Sequence, residues 1–524
     1  MLPALLTGAV ATLLHLFGPA PGDAPAHLYR TLLVRQGAFL WDNLWFAGNY
    51  PFASYSLLYY PPAALLGNLP LVFAAAVAST ALFCSIAYRE WGDAALWPCR
   101  VFGVLAAAPL FTGLYSYSLG FAAMLAALRL FQARRIWLGA ALAALTLGFS
   151  PLAFLFLCLI LLAVAIAQRR VDSRAFVTAG LLLGIASIEV VVLGLFPSKG
   201  VYPFNVYDML CAVALCAAGA LLARHARNGR ALGVFFVLWG SASLVCYLAA
   251  TPVGDNVTRL RAFVLPVMLL TAILARFRPR PLVVLALAGA LGYNLVPMLM
   301  LVPYRLDARP ASAGFWQPAV TYLERSSGPN YRVEVVPTAA HWEAYWIPRS
   351  GLPLARGWYR QLEIADYPTL FHEKLTPAVY RAWLDQMGVK YVLLPATELD
   401  PQDSHAEARL LRSGASGLSP VFTSRTGTIY EIAHPSPLLT GPGPSSITSM
   451  GHESVAGWVG RAGRYTLRVR YSGYWQVKPA GACIRKTPTG MISLRLERPG
   501  TWALSFPDSP AEALDSLSDK RPAC

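Results

Sequence analysis

An acid, a histidine and an arginine fall close together in the stretch Gly22-Asp23-Ala24-Pro25-Ala26-His27-Leu28-Tyr29-Arg30. A carboxylate can take a proton from a hydroxyl, and a nearby cation can hold a departing anion. The stretch runs on through Leu40-Trp41-Asp42-Asn43-Leu44-Trp45 and Gly48-Asn49-Tyr50-Pro51 to Tyr55, Tyr59, Tyr60, Pro61 and Pro62. After Pro25, apolar residues at Leu28, Leu32 and Val34 stand near helical spacing, so 26–39 is expected as a helix in a membrane interface. His27 and Arg30, three apart, then share its polar side. Asp23, just ahead, sits at the positive end of the helix dipole, a place that plain capping would also explain. Trp41, Trp45 and the tyrosines suit the headgroup level, where amphipathic rings collect. Asp42, Tyr59 and Tyr60 are further binding candidates here.

A second group lies in Gly254-Asp255-Asn256-Val257-Thr258-Arg259-Leu260-Arg261. Arg259 and Arg261 offer planar donors suited to phosphate, and an Asp255–Arg259 pair at i, i+4 is the plainer reading. Lys199, in Pro197-Ser198-Lys199-Gly200, is a weaker phosphate candidate. Glu189 stands inside an apolar run and is expected to face a bundle interior or a wet cavity. No cofactor is required by these groups. A divalent metal at Asp23 and His27 is left open, since two ligands four residues apart do not define a metal site.

The elements that position these residues follow from composition. The chain has 524 residues, of which 56% are hydrophobic and only 13% charged, and its mean hydropathy is +0.48. A soluble protein carries about a quarter charged residues, so an ordinary cytosolic enzyme, a disordered chain and a coiled coil are all excluded. The net charge of +16 could point to nucleic acid, but its placement argues otherwise. Up to Tyr304 stand 19 of the 43 Lys+Arg but only 8 of the 27 Asp+Glu. The basic excess sits in short loops between apolar runs.

Residues 1–304 therefore read as a transmembrane domain with a long first outer loop, 18–63. About eleven spans are expected, namely Leu2–Phe17, Ala64–Tyr88, Ala95–Thr112, Leu119–Phe131, Ile136–Phe149, Leu152–Ala167, Ala175–Phe196, Val206–Ala223, Ala231–Ala250, Ala262–Ala275 and Leu282–Val302. With a cytoplasmic N-terminus, the inner loops hold Arg89, Arg134, Arg135, Arg169, Arg170, Arg174, Arg224, Arg227, Arg230, Arg276, Arg278 and Arg280. The outer loops hold only Arg30, Arg35, Lys199, Arg259 and Arg261, as the positive-inside rule requires. An odd number of spans then places the C-terminal part outside the cytoplasm, in a multi-pass protein of the plasma membrane. Met1–Ala20 lacks a positive n-region and reads as a retained span rather than a cleaved signal.

The remainder has the charge density of a water-soluble domain. Val379–Met387 reads as a helix, followed by a buried strand, Val389–Pro395, and a second strand at Thr428–Ile432. Period-2 alternation in Arg464–Tyr471, Met491–Leu496 and Thr501–Phe506 predicts a small β-sandwich. An α/β domain over 305–437, a Pro/Gly/Ser-rich boundary at Leu438–Ser449, a sandwich over 450–508 and a tail at 509–524 follow. Tyr471, Tyr474 and Trp475 read either as sandwich core or as a sugar platform. Cys483 and Cys524 could pair in an oxidising exterior, and the other six cysteines lie in or beside apolar spans.

A first span, an outward Asp in Gly22-Asp23-Ala24-Pro25-Ala26-His27, and an interfacial stretch with Trp41-Asp42 and Gly48-Asn49-Tyr50-Pro51 resemble the GT-C superfamily of polytopic membrane glycosyltransferases. The strand pattern of the C-terminal part is similar to the extracytoplasmic domains of bacterial GT-C-like membrane proteins. The resemblance covers the layout of the membrane domain and the pattern of about 40 residues. Many members show two adjacent acids where this chain has Asp23 alone.

The resemblance implies a polyprenyl-phosphate sugar as donor, a cell-envelope glycan or lipid as acceptor, and a hexosyl- or pentosyltransferase reaction on the outer face. Asp23 would be the catalytic base. Arg259 or Arg261 would stabilise the leaving lipid phosphate, and His27 and Arg30 would orient Asp23 or that phosphate. Membrane lipid is the other expected partner, and nucleic acid is not expected. The sequence shows no P-loop and no GxGxxG. A non-catalytic assembly or scaffold protein, or a transporter of envelope glycolipids, is the alternative.

Overall fold

The computed structural model describes residues 1–53, 55–168, 173–198, 200–371, 375–507 and 511. The chain forms two compact units. The first comprises 1–27, 53–306 and 360–365, and the second comprises 28–52, 307–359 and 366–524. Lys199 lies outside the described residues, as do Cys524 and nearly all of the expected tail.

The first unit is helical. Its elements are α1 (Leu2–Phe17), the start of α2 (Ala24–Arg35), α3 (Tyr60–Leu66), α4 (Asn68–Trp91), α5 (Leu96–Leu105), α6 (Pro109–Thr112), α7 (Tyr115–Gln132), α8 (Ile136–Phe149), α9 (Pro151–Ala167), α10 (Ser173–Leu195), α11 (Val206–Ala223), α12 (Arg230–Leu248), α13 (Arg261–Leu274) and α14 (Arg280–Leu301). Local chemistry sets several starts. Ser150 caps α9 by accepting from Ala153 N, with Pro151 in the first turn, and Asn205 caps α11 by accepting from Tyr207 N. Small residues bring helices close, as where Gly103 of α5 meets the backbone of Pro3 in α1 and Gly240 of α12 meets Cys216 in α11. Phe83, Phe102, Phe121 and Phe263 form an edge-and-face aromatic core.

Six stretches among the described residues are long and apolar enough to cross a membrane: Asn68–Thr112, Ser173–Leu195, Val206–Ala223, Arg230–Leu248, Gly254–Leu274 and Arg280–Leu301. Leu2–Phe17, Ile136–Phe149 and Pro151–Ala167 are apolar but shorter. The runs expected as separate spans at Ala64–Tyr88 and Ala95–Thr112 lie in one apolar stretch, broken where Gly92 takes φ 55°. Large apolar side chains such as Trp137, Phe176, Leu183, Val190, Leu248 and Leu285 stand exposed. Exposure of this kind fits a lipid-facing surface and not a watery one. The chain is thus in part a membrane protein. Glu189 is half-buried on the side of α10 that carries Leu182, Ile185 and Ala186, the side packed toward α8 and α9.

The second unit is rich in strands. It contains α15 (Ala313–Ser326), β1 (Arg332–Val335), α16 (Glu343–Arg349), α18 (Pro377–Met387), β2 (Val389–Pro395), α19 (Ser404–Arg412), β3 (Ser419–Ser424) and β4 (Gly427–Glu431). A further helix, α17 (Arg360–Asp366), belongs to the first unit up to Ala365. One sheet has the order β1-β2-β4-β3, with β1 parallel to β2 and the remaining pairs antiparallel. Thr376 caps α18, and Gly388 ends it at φ 69°, which fixes the turn into β2.

Eight more strands follow: β5 (Leu439–Thr440), β6 (Ser445–Met450), β7 (Ser454–Val459), β8 (Gly463–Arg470), β9 (Gln476–Lys478), β10 (Cys483–Lys486), β11 (Met491–Leu496) and β12 (Gly500–Ser505). They form two four-stranded antiparallel sheets, β10-β11-β8-β5 and β6-β7-β12-β9. Leu438–Ser449, expected as a boundary, instead supplies β5 and the start of β6, one to each sheet. Tyr474 and Trp475 are buried, so the core reading holds for them and the sugar platform does not.

The first loop is not one interfacial segment. Residues 28–52 belong to the second unit. Trp41 is buried, stacked on Phe506 at 4.8 Å, and Trp45 is buried, stacked on Tyr29 at 4.4 Å with its Nε1 donating to Ala344 O. These rings fill a protein core, which corrects their assignment to a headgroup belt. Asp42 and Asn49 bridge the loop, and Phe46 and Ala47 adopt φ near 60° just before Gly48. A Cβ on Gly48 would enter the Trp41 ring, so only glycine fits there.

Candidate functional site

The first unit gathers Asp23, His27, Tyr55, Tyr59, Tyr60, Tyr115, Tyr117, Tyr202, Arg259 and Arg305. Asp23 sits in the turn before α2, where its N–H donates to Thr112 O at 3.1 Å. Gly113 makes that approach feasible. It takes φ 83°, and a Cβ there would stand 2.6 Å from Ala24 N and 2.7 Å from Asp23 N. On the other side, the Arg305 guanidinium lies where a Cβ on Gly22 would go, and its Nη1 donates to Phe111 O. Two close-packed glycine positions thus hold the acid in place.

One turn on, His27 is fully buried among four phenol rings. Tyr115 lies 5.3 Å away and stacked, Tyr55 at 5.4 Å, Tyr59 at 5.7 Å edge-on and Tyr60 at 6.0 Å, with the Tyr60 hydroxyl 3.2 Å from His27 Nδ1. Tyr59 donates to Asn68 Oδ1 at 2.8 Å, and burial holds its phenol far above the ordinary range. It stays neutral and acts as a donor.

Arg259 lies in the turn Gly254–Leu260 just ahead of α13, half-buried. Its guanidinium is within electrostatic reach of Asp23, Tyr55, Tyr117 and Tyr202. Its side chain makes no hydrogen bond or ion pair among the described residues, while its backbone O accepts from the Tyr117 hydroxyl at 3.3 Å. Tyr202 enters from the loop between α10 and α11. Its N–H donates to Thr251 O, burial raises its phenol above the ordinary range, and the Arg259 charge opposes that rise. Arg360, at the start of α17 and paired with Glu363 at 3.4 Å, also acts on Tyr202. The result is a carboxylate and a guanidinium sharing one tyrosine-lined locality. Such a locality can accept a proton and bind an anion.

The structure brings Asp23, His27, Tyr59, Tyr60 and Arg259 together. Arg261 and Asp255, in the same unit, take other partners. Arg261, expected to pair with Arg259 on one anion, turns to Thr258, donating to its Oγ1 at 2.7 Å, and lies over the Tyr293 ring at 5.3 Å. Residues two apart in a helical turn point to nearly opposite sides. Asp255 accepts from Thr258 Oγ1 at 3.1 Å, in place of the expected helix pair with Arg259, because 254–260 is a 3-10 turn.

Arg30 and Asp42 fall in the second unit. Arg30 is buried, with its guanidinium 5.6 Å from the Trp45 ring and 5.7 Å from that of Tyr359. Asp42 is fully buried and accepts from the Tyr29 hydroxyl, His452 Nδ1 and Leu44 N. Sequence reading missed Tyr115, Tyr117, Tyr202 and Arg305. The signal available was their polar tips at the ends of apolar runs.

The second unit holds a further charged cluster that the sequence did not announce. His341, buried at φ 54°, lies 3.3 Å from both Glu343 Oε1 and Asp400 Oδ2 and stacks on Trp358 at 3.4 Å. Burial alone would lower its imidazole, but the carboxylates of Asp400 and Glu343 beside it raise it to about 9. Among the described residues, no group of three or more His, Cys, Asp or Glu side chains is placed to hold a metal. No protein-family model matches the chain, and no curated protein matches it.

Proposed function

We propose that the chain is a GT-C-like membrane glycosyltransferase that moves a sugar from a polyprenyl-phosphate donor to a cell-envelope glycan or lipid. The observation that carries this reading is the Arg259 guanidinium, which is without a hydrogen-bonding side-chain partner among the described residues yet within electrostatic reach of Asp23. In the reaction, Asp23 accepts the proton of the acceptor hydroxyl as that oxygen bonds to the anomeric carbon. The bond from that carbon to the phosphate oxygen breaks, and the phosphate leaves as an anion beside Arg259. The tyrosine hydroxyls around them supply neutral donors for sugar and phosphate oxygens. A protein with about eleven spans, a cytoplasmic N-terminus and an outward second unit belongs to the same proposal. The arginine bias of the loops supports it.

The test is mass spectrometry of lipids that copurify with the detergent-solubilised protein, for wild type and Arg259→Ala. A polyprenyl phosphate or its sugar adduct in wild type and not in the variant is expected. Bulk phospholipid alone in both, with no uptake of added polyprenyl phosphate, would overturn the donor assignment. A non-catalytic assembly role is the second reading, favoured by the lone Asp23 where many GT-C members carry two acids. Donor binding without turnover, unchanged by Asp23→Asn, would select it.

A further inference from the structure

Arg332 opens β1 and is fully buried. Its Nη1 donates to Met387 O at 2.9 Å. Its Nε and Nη2 find no acceptor among the described residues. These two nitrogens share one edge of the planar guanidinium, the edge that grips an oxoanion through two parallel N–H bonds. A donor pair of this kind, buried and unmet, is strongly unfavourable unless something fills it.

The charged groups that act on Arg332 deepen the need. Arg468 and Arg470 of β8, on one side of the strand by their i, i+2 spacing, bear on it with like charge. Both are already satisfied. Arg468 donates to Asp385 O, Pro437 O and Thr440 Oγ1. Arg470 donates to Phe46 O, pairs with Asp366 at 3.0 Å and reaches the Tyr367 hydroxyl at 3.4 Å. The neighbouring carboxylates are thus committed, Asp366 to Arg470 and Asp385 to Arg381 at 3.0 Å. Burial, with Arg468 and Arg470 adding to it, pushes the Arg332 guanidinium down to about 9, against the opposing influence of Tyr367. The group is therefore still charged at neutral pH.

We propose that Arg332 anchors an internal site for a phosphate-class oxoanion, gripped by its Nε–Nη2 edge. The site lies wholly in the second unit and does not depend on the glycosyl-transfer reading. Its occupant is either free inorganic phosphate or the phosphoryl group of a sugar phosphate.

Thermal unfolding of the full-length protein in detergent tests this, with inorganic phosphate, glucose 1-phosphate or acetate against chloride at matched ionic strength. Phosphate at millimolar concentration is expected to raise the melting temperature by several degrees in wild type and in Arg259→Ala, and to leave Arg332→Met unmoved. A larger shift with glucose 1-phosphate at lower concentration would assign the site to a glycan phosphoryl group, and an equal or smaller one to the free ion. Native mass spectrometry of wild type reads a phosphate adduct directly, should Arg332→Met fail to fold. No shift beyond chloride and no adduct would overturn the proposal, leaving Arg332 as a hydrated buried cation. Loss of the response in Arg259→Ala would also overturn it, since the anion would then sit in the helical unit.

Discussion

His452 Nδ1 stands 2.9 Å from Asp42 Oδ1, joining positions 410 residues apart in the chain. The same carboxylate accepts from the Tyr29 hydroxyl at 3.1 Å, and Glu453 next along accepts from Leu40 N and Trp41 N. The turn between β6 and β7 therefore clasps the loop that carries Trp41 and Trp45. Removing the Asp42 carboxylate leaves the buried Tyr29 phenol and Leu44 N–H unpaired and takes one of two partners from the part-exposed His452 imidazole. Asp42→Ala is expected to destabilise the second unit by about 3 kcal/mol, read as a lower unfolding temperature and early proteolysis within 28–52. Asp42→Asn keeps one acceptor and should lose less.

Asp23 has the opposite signature. Its side chain is not enclosed as that of Asp42 is, so Asp23→Asn is expected to leave the unfolding temperature unchanged. Transfer from the copurified donor should fall by about 10²–10⁴-fold, the range for loss of a general base. Equal transfer by the variant would remove Asp23 from the chemistry.

The two arginines of the 259–261 turn should separate in the same way. Arg259→Ala is expected to abolish retention of polyprenyl phosphate with little change in stability. Arg261→Ala removes the bonds to Thr258 and the stacking on Tyr293, and should cost about 1–3 kcal/mol while retaining lipid. Comparing melting temperature with bound lipid for the two variants checks the division.

The long apolar runs and the period-2 segments at β8, β11 and β12 were legible because each pattern has one dominant structural solution. Asp23, His27 and Arg259 were legible as charges where charges are scarce. The destination of residues 28–52 was not. An aromatic-rich segment reads alike whether its rings meet lipid headgroups or a protein core, and only its contacts with Ala344, His452 and Phe506 decide. The loss of the Asp255–Arg259 pair was hidden because it depends on 254–260 being a 3-10 turn. The Tyr115 and Tyr117 contributions come from α7 and that of Tyr202 from the loop before α11, and local spacing carries no record of that convergence.

His341 makes stability depend on pH with a defined sign. Its imidazole is raised from 6.5 to about 9 by Asp400 and Glu343 against the effect of burial. The folded form binds the proton more tightly than the unfolded form. The stabilisation is therefore complete below about pH 6.5 and is lost as pH rises through 9. Its size is about 3 kcal/mol. Unfolding followed between pH 6 and 10 should show this loss in wild type, with Trp358, stacked on His341, as a fluorescent reporter. His341→Gln should be less stable at pH 6 and nearly flat to pH 9. A wild-type profile as flat as that of the variant would mean the imidazole is not held charged.

Gly113 links backbone geometry to function. It stands at φ 83°, and a Cβ would sit 2.6 Å from Ala24 N and 2.7 Å from Asp23 N. Neither atom can yield without moving the first turn of α2, since Asp23 N is itself bonded to Thr112 O. The strained φ alone costs an alanine about 1 kcal/mol. The larger effect should fall on the site. A shift of about 1 Å in a positioned group is enough to lower a rate by about 100-fold. Gly113→Ala is therefore expected to retain polyprenyl phosphate at Arg259 while losing transfer, as Asp23→Asn does. Gly92→Ala serves as the comparison, because Gly92 also has positive φ but its Cβ would meet nothing within 4 Å. It should share the small stability loss and keep its activity. Equal activity in the two glycine variants would show that the approach of α2 to Gly113 does not set the position of Asp23.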